Sequence, residues 1–259
     1  MRQYTHQVWV GPVPVGGGAP ISVQSMTNTD TRDTAATLGQ IQALAQAGCE
    51  IVRVAVPDER AAEALKTLVL HSPVPLVADI HFDHRLALLS LEAGVHKLRL
   101  NPGNIGEVRK VQEVVRAAQE RQVPIRIGVN SGSIARHLLD KYGRTATAMV
   151  ESALEQVAVL ERLNFHDIVL SVKASDVELT VQAYEQLSQR TSYPLHLGIT
   201  EAGTKWFGTI KSAAGLGALL SRGIGAVPFT HMPRAANRGG GSSAVVTISI
   251  NKKGTNVYG

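Results

Sequence analysis

PLVADIHFDHRLALLSLEAGVHKLRLNPGNIG, residues 75–106, decides the fold. A short apolar run at 76–80 ends in polar residues, and an amphipathic stretch follows it. Gly94 stands where a helix stops in the left-handed conformation, and a second short run begins at 97. That order is one βαβ unit of a parallel sheet. The same rhythm extends in both directions. Strands are expected at 21–26, 51–56, 76–80, 97–100, 125–129, 168–172 and 195–199, each short and apolar, as strands covered on both faces must be. Leu38, Ile41 and Ala45 before Gly48, and Met149, Ala153, Gln156 and Leu160 before Asn164, carry the helical spacing between them.

Seven regular units in a chain of 259 residues favour an α/β fold of the (β/α)8 TIM-barrel type over a doubly wound sheet. The eighth unit is atypical. After the helix expected at 209–221, Pro228, Pro233 and the glycine run 239–241 suit a loop. Strand-like alternation returns only at 244–250, which either closes the barrel or stays unpaired. The expected division is a barrel over 1–225 and a basic tail over 226–259.

Composition narrows the function classes. The net charge of +5 comes mostly from the last stretch, because seven Lys and Arg and no acid follow Glu201, leaving −2 for residues 1–201. The body lacks the basic-aromatic interleaving of a nucleic-acid platform, so no nucleic-acid partner is expected. Apolar runs fall well short of the ~20 residues of a membrane span, and no export signal opens the chain, so the expected address is cytoplasmic. The single cysteine, Cys49, follows a helix in AQAGCEIV and reads as a packing residue. One thiol cannot hold an iron-sulfur cluster, and His84, His96, His137 and His166 show no ligand spacing, so no metal site is expected from this chain.

In a parallel barrel the active site lies at the carboxyl ends of the strands. Those ends carry Arg53; Asp79 and His81; Arg99, then Asn101 and Asn104; Arg126, then Asn130 and Ser131; Lys173; and His196, then Glu201. Three arginines and a lysine converging on one mouth repel one another unless an anion sits between them. A polyphosphate fits, since guanidinium forks and glycine-rich turns both serve phosphate oxygens. The alternative is that some arginines pair with Asp79 or Glu201. His81 and Glu201 are the candidates for moving a proton or balancing charge.

The motifs VQSMTNTDTRD, VRVAVPD, PLVADIHFD, LRLNPGNIG, IRIGVNSGS, SVKASD and PLHLGITEAG resemble, in order, the barrel signatures of the hydroxymethylbutenyl diphosphate synthase family, from about Val8 to Gly225. The resemblance implies reductive ring opening of 2-C-methyl-D-erythritol 2,4-cyclodiphosphate in non-mevalonate isoprenoid biosynthesis, with electrons from flavodoxin or ferredoxin through a [4Fe-4S] cluster. It implies that Arg53, His81, Arg99, Asn101, Arg126 and Lys173 hold the diphosphate and the sugar-derived carbons, and that Glu201 faces the cluster. In the family, three cysteines and a glutamate in a separate C-terminal domain hold that cluster, and in the homodimer the domain of one subunit caps the barrel of the other. This chain departs within one residue of Gly225, in GIGAVPF, where the family continues with a last strand bearing another arginine. A frameshifted or truncated reading is expected there, and a chain that binds substrate without turning it over. Two alternatives remain: a complete barrel lyase or pterin-synthase-like enzyme with Lys173 as Schiff-base residue, and a remnant that barely folds because its sheet has open edges.

Overall fold

The computed structural model describes residues 5–200, 204–225 and 245–247. The chain enters through an antiparallel hairpin, β1 (Gln7–Val10) and β2 (Val13–Gly16). Its turn needs Gly11, which has φ +56° and lies so close to His96 that a Cβ would stand 2.7 Å from the imidazole. Alternation along the hairpin buries Val8, Val10 and Val15, which form a separate apolar cluster with Ile51, Val77 and Val169. These last three point into the barrel from its strands, so the hairpin is the barrel's floor.

The βα units follow. β3 (Ser22–Met26), α1 (Thr34–Gln46), β4 (Ile51–Ala55), α2 (Glu59–His71), β5 (Leu76–Asp79), α3 (His84–Glu92) and β6 (Lys97–Leu100) make the first half. The rest comprises α4 (Pro102–Ile105), α5 (Val108–Glu120), β7 (Ile125–Asn130), α6 (Arg136–Tyr142), α7 (Ala146–Glu161), β8 (Ile168–Lys173), α8 (Val177–Arg190), β9 (His196–Leu197), α9 (Lys205–Ser221) and β10 (Val245–Thr247). Helix starts are set by side-chain caps: Asp33, Asp58, Asp83, Thr145 and Asp176 each accept a backbone N–H of the first turn. Such a cap contributes about 1 kcal/mol. Gly48 and Gly94 (φ +91° and +87°) and Asn164 (φ +59°) end helices as their positions in the sequence imply.

The strands form one parallel sheet in the order β8-β7-β6-β5-β4-β3-β10-β9. A single bridge between Leu170 and Leu195 joins β8 to the start of β9. Six strands, β3 to β8, carry most of the ladder. β9 holds two residues where 195–199 was expected, and β10 holds three, paired with Ser22–Gln24 on one side and His196–Leu197 on the other. The late strand read at 244–250 is therefore described only at 245–247, where it occupies the eighth position. The remainder of the tail lies outside the described residues. α9 begins at Lys205, four residues before the helix expected at 209–221.

Period-two alternation sorts each strand. Outward residues such as Val52, Val54, Leu76, Ala78 and Leu98 join Leu65, Leu68 and Leu91 of the helices in one continuous core. Inward residues above the floor are largely polar: Gln24, Arg53, Asp79, Lys97, Arg99, Arg126, Ser171, Lys173 and His196. If the hairpin seals the base of that polar interior, Val10→Ala should lower stability by about 2 kcal/mol through lost burial and a residual cavity. Urea unfolding measures it, and an unmoved midpoint would show that the floor contributes nothing.

Candidate functional site

Register brings the interior charges together. Asp79 pairs in the ladder with Arg99, Arg99 with Arg126, and Asn130 with Lys173. Asp79, at the carboxyl end of β5 and nearly buried, is the hub. Arg99 Nη1 donates to its Oδ1 at 3.1 Å, while Arg53 Nε lies 3.6 Å and His81 Nε2 3.5 Å from its Oδ2. Burial by itself would raise the Asp79 carboxyl, but Arg53, His81 and Arg99 outweigh it and hold the group well below the usual carboxylate range. Arg53 also rests its Nε and Nη2 against the thioether of Met26 at 3.1 and 2.8 Å, a weak acceptor for a guanidinium.

Among the described residues Arg126 has no such neutraliser. It is 2% exposed, and neither its Nε nor its Nη1 has a hydrogen-bond partner among them; Arg99 Nε and Ser22 Oγ share that condition. Burial and the adjoining Arg53 and Arg99 press against the charge of Arg126, yet a guanidinium keeps its proton inside proteins. Lys173 is pushed well below its ordinary value by burial, then by Arg126, Arg53 and Arg99, with Asp79 only partly opposing. His196 is driven down by burial and by Arg126, Lys173, Lys97 and Arg53, which favours the neutral imidazole. Tyr184 Oη fixes the strand at this point by donating to the His196 carbonyl at 2.5 Å.

Other residues read from the sequence lie farther out. Asn101 is buried, and its Oδ1 accepts from Gly103 N at 3.1 Å, capping the short α4. Asn104 is exposed, and Asn130 and Ser131 sit half-buried at the rim. The His81 side chain is 55% exposed, so it borders the mouth from solvent. Glu201 lies outside the described residues. Gly128 faces the interior, where a Cβ would stand 3.1 Å from Arg99 Nε and 3.3 Å from Ser171 Oγ; a side chain there would crowd the arginine.

The strand-end reading passed over Lys97 and Gln24. Lys97 is fully buried at the start of β6, two residues before Arg99, and its Nζ donates to Gln24 Oε1 at 2.9 Å. Period two alone puts Lys97 on the face of Arg99 and so could have found it. Inside the described barrel, Arg53, Arg99, Arg126, Lys97 and Lys173 therefore confront one carboxylate. The cleft beside the mouth, lined by Phe82, Asp83, His84, Arg85, Ile105 and Lys110, is electrostatically different. Arg85 is bound to Asp83, and Lys110 to Glu107, so those cations are already occupied.

A parallel α/β barrel with a cationic interior opening at the carboxyl ends of its strands defines the class. Comparison with known proteins places the chain in it: residues 5–232 match the GcpE TIM-barrel domain, and the chain belongs to that family. It is 66% identical over 226 residues to a Geobacter sulfurreducens protein named 4-hydroxy-3-methylbut-2-en-1-yl diphosphate synthase (flavodoxin), covering 87% of this chain and 64% of that protein. Proteins of the same name from Magnetococcus marinus and Bacillus cereus are 64% and 58% identical, each over 86% of this chain and 61% of their own length. The chain thus spans a little over three fifths of these relatives. Among solved structures it resembles Geobacillus kaustophilus 3-dehydroquinate dehydratase (TM-score 0.63, 14% identity, 98% of this chain and 91% of that one). It also resembles Yersinia pestis dihydropteroate synthase (TM-score 0.61, 13% identity, 84% and 89%). At such identities the likeness concerns fold alone.

Asp79 is the only described carboxylate among these cations, and its depressed value signs its effect on stability. The contribution is fully present above the unfolded carboxyl value of about 4 and drains as pH falls toward the lower folded value. Asp79→Asn should destabilise the anion-free barrel by about 3 kcal/mol at neutral pH, because two arginines lose their partner. A diphosphate ester should recover part of the loss. Thermal unfolding with and without the ester measures both, and an Asn variant as stable as the parent would remove Asp79 from the centre of the network.

Proposed function

We propose that this chain is the substrate-binding barrel of an enzyme that opens and reduces 2-C-methyl-D-erythritol 2,4-cyclodiphosphate to 4-hydroxy-3-methylbut-2-enyl diphosphate in isoprenoid biosynthesis. The carrying observation is Arg126, a buried guanidinium with two nitrogens unpartnered among the described residues, where the described cations outnumber the described carboxylates. An anion with several oxygens meets that condition, and the names of relatives sharing 58–66% of their aligned residues support the choice of a diphosphate.

In this reading Arg126 and Arg99 take phosphate oxygens through Nε and Nη donors, and Lys173 adds a point charge. Asp79 keeps Arg53 and Arg99 aimed while no ligand is present. Asn101, Asn104, Asn130 and Ser131 line the rim for the hydroxyl groups, and neutral His196 offers a hydrogen bond without adding charge. His81 and Glu201 are assigned to proton movement at the opened ring, Glu201 on the strength of the family resemblance. The name flavodoxin in the relatives supports that protein as electron donor to the complete enzyme, which by resemblance is a homodimer acting in the cytoplasm. No described helix is long and apolar enough to cross a membrane.

The residues of this chain do not fit a [4Fe-4S] cluster. Cys49 is the sole cysteine, it is buried, and its thiol donates to the Ile51 carbonyl at 3.0 Å. Among the described residues no group of three His, Cys, Asp or Glu could hold a metal. A cluster working with this barrel takes its ligands from elsewhere, and the barrel's own task is to bind and orient. Against the lyase alternative, Lys173 stands among three arginines, more cationic charge than Schiff-base formation needs.

The test exploits opposite effects of one substitution. Arg126→Met removes unsatisfied buried charge and should leave the free barrel as stable or more stable, while weakening cyclodiphosphate binding roughly 100-fold or more through lost charge-assisted bonds. Calorimetric titration and thermal unfolding read the two effects. Retained affinity, or loss of affinity only through unfolding, would contradict the reading.

A further inference from the structure

Lys97 is the one strongly basic group of the interior that the proposed binding scheme leaves unused. It lies two residues before Arg99 on β6, completely buried, paired in the ladder with Val77 of β5, which pairs in turn with Arg53. The groups facing it from the surrounding strands, among the described residues, are Gln24 of β3, Arg53 of β4, Arg126 of β7 and His196 of β9. None is a carboxylate. Its one hydrogen bond runs to a neutral amide oxygen, Gln24 Oε1. Asp79, the described carboxylate of the interior, is engaged above by Arg53 and Arg99.

Five basic side chains about one carboxylate cannot all stay charged in an enclosed barrel that lacks an anion. The arginines hold their protons, so the lysines must yield. Burial first, and Arg126 and Arg53 after it, push Lys97 well below an ordinary lysine. The bond to Gln24 suits either state, because an amine and an ammonium both donate to an amide oxygen. A change of protonation therefore requires no rearrangement of the side chain. A ligand bearing two fixed negative charges reverses the balance that discharges the lysine.

We propose that Lys97 is a ligand-gated proton acceptor at the heart of the barrel, taking up one proton from solvent as a diphosphate group enters the mouth above it. The proton goes from buffer to Lys97 Nζ, and no other bond changes. Lys97 acts through charge and touches no substrate atom, which makes it a positioning residue. Its protonation supplies attraction only when ligand is present, so the empty barrel is spared one more buried cation. The inference rests on the diphosphate reading of the site.

The cyclodiphosphate is a clean probe, because each of its phosphates is a diester-like, strongly acidic group that does not itself titrate near neutrality. Calorimetric titration of the unmodified chain at about pH 8, in Tris and in HEPES, reads the proton directly, since the observed heat shifts with the ionisation enthalpy of the buffer. The expected result is net uptake of about one proton or more per ligand, and affinity that falls up to about tenfold per pH unit as pH rises. In Lys97→Met the uptake should drop by about one proton while binding persists. In parallel, lysine labelled with carbon-13 at Cε in the unmodified chain, with the signals of Lys97 and Lys173 assigned separately, should show the Lys97 signal moving from the amine to the ammonium position on saturation. That measurement decides the matter even where the Met variant fails to fold. Binding without uptake, uptake undiminished in Lys97→Met, or a Lys97 signal that keeps its state while ligand binds would each overturn the role of Lys97 and leave the diphosphate reading standing. No binding at all would overturn both.

Discussion

Positive charge in excess, held out of water around a single described carboxylate, is the constraint on which the site depends. Removing an ion from solvent is unfavourable by several kcal/mol even after relaxation, and among the described residues Arg126 makes no compensating bond through Nε or Nη1. A fold selected for stability alone would place aliphatic side chains at these positions, as barrel interiors commonly do. The polar interior is therefore a stability deficit, and under the proposed function ligand binding would return that deficit as affinity.

The rest of the architecture serves this arrangement. Helices capped by aspartates wrap the outer face of the sheet and supply the apolar core. The hairpin of Val8, Val10 and Val15 packs against Ile51, Val77 and Val169 at the base, which leaves the carboxyl ends of the strands as the approach to the cations among the described residues. Asp79 bridges Arg53 and Arg99 and so prevents two guanidinium groups from turning away from the mouth when it is empty. Lys97 beneath them adjusts its charge to what lies above.

Much of this was legible because charged residues interrupt strands that otherwise read as apolar. Arg53, Arg99, Arg126 and Lys173 stand out in VRVAV, LRL, IRI and SVK, and the glycines and Asn164 mark the helix ends. Attention to strand ends alone hid Lys97 and Gln24, although alternation from Arg99 and toward Met26 places both inside. The hub at Asp79 depends on register between neighbouring strands, which no local pattern specifies, so its pairing stayed one of two open readings. Asn101 was read for ligand binding, and its Oδ1 caps α4; an asparagine followed by a proline at the first helical position carries that signal too. The eighth strand was the hardest to place, since Pro228, Pro233 and the glycines at 239–241 read as a loop and three described residues of β10 fill the position.

The most direct measurement is a crystal structure of this chain with 2-C-methyl-D-erythritol 2,4-cyclodiphosphate. The account predicts a diphosphate seated inside the mouth, with its oxygens accepting from Arg126 Nε and Nη1 and within reach of Arg99 and Lys173. A saturated crystal in which those nitrogens are instead satisfied by a carboxylate of the chain, with ligand only on the outer surface, would contradict it.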